Sequence, residues 1–289
     1  MRVLVLGANG QLGSDIVEQF SASHLVRLTP ALRSDIDVSD FSRLETYLRD
    51  MGYDVLVNCT SYHKTDEADD NATQAFTVNA HAVGMMAQIC AEVGSKFVHF
   101  STDYVFGGLD ITDPIPEDAP ACPVNVYGSS KALGEYFIQQ TKCNYYICRV
   151  SSLFGVRGSS GKGGNFIETM INLAKSRDTI SVVSNQFMVP TSTKFIAKSV
   201  RSLISNNAPS GVYHVVPNGR ASWHDLASYV VEELGLQCDV QPCTSDEYPT
   251  TARRPDYSVL SNAKLSSMSG DLPDWKDLVD EYLADKGYL

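Results

Sequence analysis

The stretch Val3-Leu4-Val5-Leu6-Gly7-Ala8-Asn9-Gly10-Gln11-Leu12-Gly13 decides the fold of this chain. Val3 to Leu6 is a short apolar run closed by glycine, the pattern of a parallel strand buried on both faces. Leu12, Ile16 and Phe20 then recur at helical spacing. Three glycines, Gly7, Gly10 and Gly13, fill the turn between them. Such a turn is tight, lets the backbone approach a pyrophosphate, and aims a helix N-terminus at the anion. In isolation a plain glycine turn reads much the same. The strand–turn–helix context marks a dinucleotide site, with Gly7, Asn9, Gly10, Gln11 and Leu12 as the candidate contacts.

Downstream, strand and helix patterns alternate. Strands are expected at 25–28, 55–58, 96–100 and 145–150, and helices at 41–51, 72–93 and 127–140. That rhythm calls for an α/β fold with a doubly wound parallel sheet, a Rossmann domain over residues 1–150. Beyond 150 the rhythm loosens: a glycine/serine-rich loop at 155–164, helices at 166–175, 223–234 and 275–283, and strand-like stretches at 181–183 and 212–216. Residues 151–289 are expected to form mainly a smaller C-terminal α/β substrate-binding cap, with segments free to return to the sheet.

The chain has 289 residues, 43% hydrophobic and 20% charged, with a net charge of -11. An acidic surface argues against nucleic acid as a partner. The sequence lacks a long apolar run and a signal-like N-terminus, so no membrane association and a cytoplasmic location are expected. Seven cysteines lack paired CxxC spacing, and six histidines lack HxH or HxxxH spacing. Neither disulfides nor a metal site is expected. His99, inside an apolar strand, reads as a hydrogen-bonded core residue.

The second decisive stretch is Val126-Tyr127-Gly128-Ser129-Ser130-Lys131, which sets a phenol and an ammonium one helical turn apart. Free tyrosine, with a pKa of about 10, is a poor acid–base catalyst at neutrality. A nearby ammonium and an oxidised nicotinamide favour the phenolate and lower that value. Thr102, at the carboxyl end of a strand, can polarise a substrate carbonyl. Thr102, Tyr127 and Lys131 are therefore the expected catalytic set, with Tyr127 and Lys131 also touching the cofactor.

The carboxylate that usually follows the second strand to bind a ribose 2′-hydroxyl is missing. Arg33 (or Arg27) can instead meet a 2′-phosphate, which leans toward NADPH over NADH. A solvated arginine is the plainer reading. Asp37 and Val38 are placed to hold adenine. Cys59, Thr60 and Ser61 lie where the nicotinamide half crosses, and Asn79 is a further candidate on the long helix.

On these residues the chain resembles the extended short-chain dehydrogenase/reductases, and more narrowly the dTDP-4-dehydrorhamnose reductase family. Besides the glycine turn and the Tyr/Lys pair, Ser101-Thr102-Asp103-Tyr104-Val105-Phe106, Gly164-Asn165-Phe166, Pro190-Thr191, Gly211-Val212-Tyr213-His214, Ser222-Trp223 and Arg254-Pro255 carry the similarity. The resemblance implies hydride transfer from NADPH or NADH to the C4 ketone of a nucleotide-linked 4-keto-6-deoxysugar. In that scheme Tyr127 is the proton donor, Lys131 its tuner, Thr102 the carbonyl partner and Asp103 an orienter of the sugar. Asn165 and Arg254 join the substrate side, the cap closes on the nucleotide diphosphate, and a homodimer is compatible.

Three departures from the family pattern stand out. Ser152 replaces a tryptophan near the sugar, removing a stacking surface. His63 and Lys64 stand where better-known members have small neutral residues, and can meet a phosphate or an acidic sugar group. Asn185 replaces an acid before Gln186; some members build an intersubunit magnesium site with an acid just after the glycine motif, for which Asp15 is the sole hint here, and that hint is discounted. Tyr104 occupies the place of a dehydratase's glutamate, which argues against dehydration. An epimerase, another ketosugar reductase, or a non-catalytic regulatory subunit resembling that of methionine adenosyltransferase remain the alternatives.

Overall fold

The computed structural model describes residues 1–158 and 164–289. Part of the glycine/serine-rich loop expected at 155–164 therefore lies outside the described residues. Five strands of the first half are β1 (Arg2–Leu6), β2 (Arg27–Ala31), β3 (Val55–Asn58), β4 (Lys96–Thr102) and β5 (Asn144–Val150). Four short strands follow: β6 (Leu153–Phe154), β7 (Thr179–Val183), β8 (Phe187–Met188) and β9 (Thr191–Ser192). Then come β10 (Gly211–His214), β11 (Ala221–Ser222) and β12 (Asp239–Cys243). The main sheet has six strands in the order β10-β5-β4-β3-β1-β2. All its pairings are parallel. The order reverses between β1 and β3, the switch point at which doubly wound sheets bind ligands.

The helices are α1 (Gln11–Ser21), α2 (Phe41–Asp50), α3 (Ala72–Phe76), α4 (Ala82–Val93), α5 (Val126–Gln139), α6 (Phe166–Ala174), α7 (Thr193–Ser205), α8 (Trp223–Glu233), α9 (Ala263–Ser269) and α10 (Trp275–Asp285). Two hydrophobic layers sandwich the main sheet. Val3, Val5 and Val57 face the layer that holds Ile16, Phe20 and Val200, from α1 and α7. Leu4, Leu6 and Leu56 face the layer of Leu44, Leu48, Met86 and Ile89, from α2 and α4. Alternation along each strand thus fills both cores, as continuous apolar strands require.

β10, one of the C-terminal strand-like stretches, returns to the main sheet and completes it beside β5, with His214 in register with Arg149. The short strands pair in twos: β11 with β8, β12 with β7, and β6 with β9. These elements and α6 and α8 build the layer next to the carboxyl ends of β4 and β5. The helix expected over 72–93 is continuous but widens into a π-turn at Thr77–His81. The second strand begins later than its apolar pattern and runs through Pro30, because it is an edge strand and proline is tolerated there. All seven cysteines are free. Among the described residues no helix is long and apolar enough to cross a membrane.

Candidate active site

The glycine turn lies where β1 meets the ends of β2 and β3. The Gly7 and Ala8 amides donate to Ala31 O at 3.0 and 3.1 Å, and Cys59 N donates to Leu6 O at 3.0 Å. Gly7 has φ +72°, and a Cβ on Gly13 would sit 2.1 Å from Gly7 O, so neither position admits a side chain. Gly10 caps α1 without any side-chain acceptor for the first-turn amides. Beside them, Gln11 Nε2 is buried and has no hydrogen-bond partner among the described residues. A clear backbone path, uncapped amides and an orphan donor fit a pyrophosphate.

The expected adenosine-side residues divide. Arg33 is largely exposed and pairs with Asp37 at 3.1 Å. Asp37 accepts from Ser39 N and Oγ, and these bonds, ahead of Arg33, hold its carboxyl below the usual range. Val38 packs into the core with Leu4 and Leu6.

The loop after β3 is shaped by Asn58 and Asn79. Asn58 Oδ1 accepts from Thr60 N (3.0 Å) and Thr60 Oγ1 (2.6 Å). Asn79, on the π-turn, accepts from Ser61 Oγ (3.1 Å) and Tyr62 N (2.8 Å), and donates to Tyr62 O (2.9 Å) and Ser130 Oγ (3.0 Å). The π-turn brings Asn79 O so near α5 that a Cβ on Gly134 would lie 2.2 Å from it. One buried amide therefore ties Ser61 to α5, the helix that carries Tyr127 and Lys131.

Thr102 ends β4 and caps the short helical turn Asp103–Phe106, accepting from Tyr104 N at 3.2 Å. Its hydroxyl donates to Asp103 Oδ1 at 2.9 Å. Asp103 is buried and also accepts from Ser151 Oγ (2.8 Å) and Ser258 Oγ (2.6 Å). Burial raises its carboxyl, and the three hydroxyls partly offset that. Asn125 caps α5 by accepting from Gly128 N at 2.7 Å, which fixes where the helix presents Tyr127. Tyr104 meets the Tyr127 ring edge-on at 5.7 Å.

Burial pushes the Tyr127 phenol up, while the Thr102 and Ser61 hydroxyls pull it down. This direction differs from the lowering expected from Lys131. Burial is the cause, and Lys131 is turned elsewhere: its Nζ donates to Phe100 O at 2.5 Å and lies 3.2 Å from His99 Nε2. Burial brings Lys131 down to about 8, against the opposing pull of Glu135.

On the substrate side, Ser152 has a left-handed backbone, φ +46°, between β5 and β6. Lys64 is exposed and held by Glu67 at 2.9 Å, and His63 Nδ1 lies 3.3 Å from Ser61 O. Arg254 Nη2 donates to Asp66 Oδ2 at 2.9 Å, and its buried Nε has no partner among the described residues. Asn165 caps α6, accepting from Glu168 N and donating to Gly155 O and Tyr282 Oη. The structure thus brings Thr102, Asp103, Tyr127 and Ser61 together, with Lys131 behind them, while Asn165 is engaged in tying α6 to α10.

Four polar residues of this cluster escape the motif reading: Asn58, His99, Ser151 and Ser258. Asn58 and His99 leave a usable trace, since each is a polar residue at the carboxyl half of an apolar strand. They are register partners on β3 and β4. Ser258 follows Arg254-Pro255 in the family pattern and Ser151 precedes Ser152, but only the fold carries both to Asp103.

A family model described as the RmlD substrate binding domain matches residues 1–287. The chain belongs to that family. Among RmlD-family relatives, it is 36% identical over 294 residues to the dTDP-4-dehydrorhamnose reductase of Burkholderia thailandensis, covering 96% of each chain. The structure of a Clostridium acetobutylicum dTDP-4-dehydrorhamnose reductase superposes with a TM-score of 0.91 at 33% identity, covering 98% of this chain and 99% of that one. The Bacillus anthracis dTDP-4-dehydrorhamnose reductase, solved in complex with NADP, gives 0.90 at 30% identity, with 98% and 99% covered. The RmlD-family assignment and the α/β fold with its parallel sheet stand on these matches.

Proposed function

We propose that this protein is an NADPH-dependent reductase of the C4 ketone of dTDP-4-dehydro-L-rhamnose, yielding dTDP-L-rhamnose. The observation that carries the reading is the Thr102–Tyr127 pair, set at the carboxyl end of β4 beside the glycine turn. The dinucleotide, held along Gly7–Leu12, Thr60 and Ser61, supplies the hydride when bound. Tyr127 gives its phenolic proton to the ketone oxygen as negative charge develops there. Thr102, positioned by its bond to Asp103 Oδ1, turns its single hydroxyl proton from that carboxylate to the same oxygen. Asp103 thus acts on the sugar through Thr102. Lys131 acts from the rear of the site.

Residues 1–150 supply the dinucleotide side. Residues 151–289 supply the sugar-nucleotide side through Ser152, Arg254 and the segments around them, with His63 and Lys64 at the rim. A cytoplasmic location and a homodimer accord with this role. The test is NADPH consumption by the purified protein given dTDP-4-dehydro-L-rhamnose, compared with NADH. Consumption matched by dTDP-L-rhamnose supports the reading. Tyr127→Phe is expected to lower kcat about 10²–10⁴-fold with NADPH binding retained. Near-normal turnover in that variant overturns the mechanism, and tight NADPH binding without turnover points to another ketosugar, admitted by Ser152 and Lys64, or to a regulatory subunit.

A further inference from the structure

The segment from Ala252 to Ser258 comes from the far end of the chain and straps across the catalytic cluster. Ser258 Oγ donates to Asp103 Oδ2 at 2.6 Å. Asn125, the cap of α5, donates through Nδ2 to Arg253 O at 2.8 Å. Pro255 is buried against Gly107, where an added Cβ would lie 3.0 Å from the proline ring. A further hold comes from the turn Thr65–Glu67, after β3. Asp66 Oδ1 accepts from Ala252 N at 3.2 Å, and Asp66 Oδ2 accepts from Arg254 Nη2 at 2.9 Å. One carboxylate thus grips both the backbone and a side chain of the strap.

The two arginines of the strap are placed differently. Arg253 is exposed, whereas Arg254 is half-buried, and its Nε has no partner among the described residues. Burial pushes the Tyr104 phenol up to about 12 and Arg254 pulls it back, which sets the guanidinium beside that hydroxyl. Tyr104 in turn meets the Tyr127 ring edge-on. A buried N–H without an acceptor is costly, and phosphate oxygens match the fork of a guanidinium. The other carboxylates of the turn are committed elsewhere: Glu67 to Lys64 at 2.9 Å, and Asp69 Oδ1 to Val126 N at 3.2 Å. An ion pair as open as Asp66–Arg254 adds little to stability, so its use lies in where it holds Arg254.

We propose that Asp66 is a positioning residue for the diphosphate of the substrate: it pins the strap Ala252–Ser258 and holds Arg254 ready for that anion. The inference deepens the reductase reading and rests on it for its catalytic meaning. Asp66 touches neither substrate nor cofactor and acts through Arg254. Because the same strap holds Asp103 and the cap of α5, it keeps the anion end of the sugar nucleotide in a fixed relation to Thr102 and Tyr127.

The test has two arms. Hydrogen–deuterium exchange on the full-length protein, without ligand, reads the clasp. Asp66→Ala removes both acceptors, and the amides of 250–256 are expected to exchange about tenfold faster while those of β1 and α1 stay unmoved. Asp66→Asn keeps an acceptor for Ala252 and should move them less; it decides this arm if the alanine variant fails to fold. Unchanged exchange at 250–256, or loosening throughout the chain, overturns the clasp.

Steady-state turnover of dTDP-4-dehydro-L-rhamnose reads the positioning role. Asp66→Asn should raise KM for the ketosugar about tenfold, with kcat altered by less than about threefold and KM for NADPH unmoved. With Arg254→Gln already in place, Asp66→Asn should add nothing, since Asp66 acts through Arg254. An unchanged KM, full additivity, or a fall in KM, which would make Asp66 a competitor of the anion, overturns the role. A wild-type protein that turns over no ketosugar defeats the reductase reading and the role with it, while the exchange arm still decides the clasp.

Discussion

Arg149 on β5 and Lys131 on α5 are both buried cations, and the fold treats them in opposite ways. Arg149 meets Glu135 through Nε at 3.0 Å and Nη2 at 2.6 Å, donates through Nη1 to Glu117 O at 2.9 Å, and lies over the Phe106 ring at 4.7 Å. Lys131 is one turn before Glu135 on the same helix, yet that carboxylate is turned to Arg149. It is left with a carbonyl and an imidazole. A buried cation with a bidentate carboxylate and filled donors is a fixed structural charge. One without a carboxylate sits close to losing its proton and is available for chemistry. The difference between the two regions lies in the partner each cation keeps.

The sharpest way to break this comparison is to remove Lys131. Lys131→Met is expected to lower kcat about 10²–10⁴-fold, from steady-state turnover of the ketosugar, while thermal stability holds or rises. A large loss of stability would show that Lys131 is the structural charge. The converse change, Glu135→Gln, leaves Arg149 buried and unpaired and should cost about 3–5 kcal/mol in a denaturant titration.

The neutral side of both regions is exposed by acid. His214, 3.3 Å from Arg149 Nη1, is lowered to about 3 by burial first and by Arg149 second, and His99 is lowered as well. Because these folded-state values lie below that of an unfolded histidine, the unfolded chain binds more protons. Stability is therefore full above about pH 6.5 and falls progressively as pH drops toward about 3. Chemical denaturation at a series of pH values reads this loss, and a flat profile would contradict the buried neutral rings. The smallest effect belongs to the exposed cation. Arg33→Ala should change stability by less than about 0.5 kcal/mol, since the Arg33–Asp37 pair is open to solvent. It should raise KM for NADPH and leave that for NADH unchanged; equal change in both would detach Arg33 from the 2′-phosphate.

Much of the molecule could be read without coordinates, for identifiable reasons. Strands such as Val3–Leu6 are continuous apolar runs because both faces are covered, and α1 declares itself by Leu12, Ile16 and Phe20. The π-turn at Asn79 was invisible, since its residues carry ordinary helical patterning and only Gly134 on another helix makes room for it. His99 read as a core residue and is one, but its ring is wired to Lys131 through a pairing that strand register creates.

Local chemistry belongs to the sequence alone: a glycine that must lack Cβ, a strand-end threonine, and a phenol one turn before an ammonium. These follow from residue type and spacing, which the chain carries wherever it goes. Which carboxylate serves which cation, which hydroxyls fill Asp103, and where Lys131 points were decided by tertiary structure. Ser151 and Ser258 are 107 positions apart, by difference of their numbers, and meet on one carboxylate. In a low-dielectric interior every donor needs an acceptor, and only the folded chain settles who supplies it.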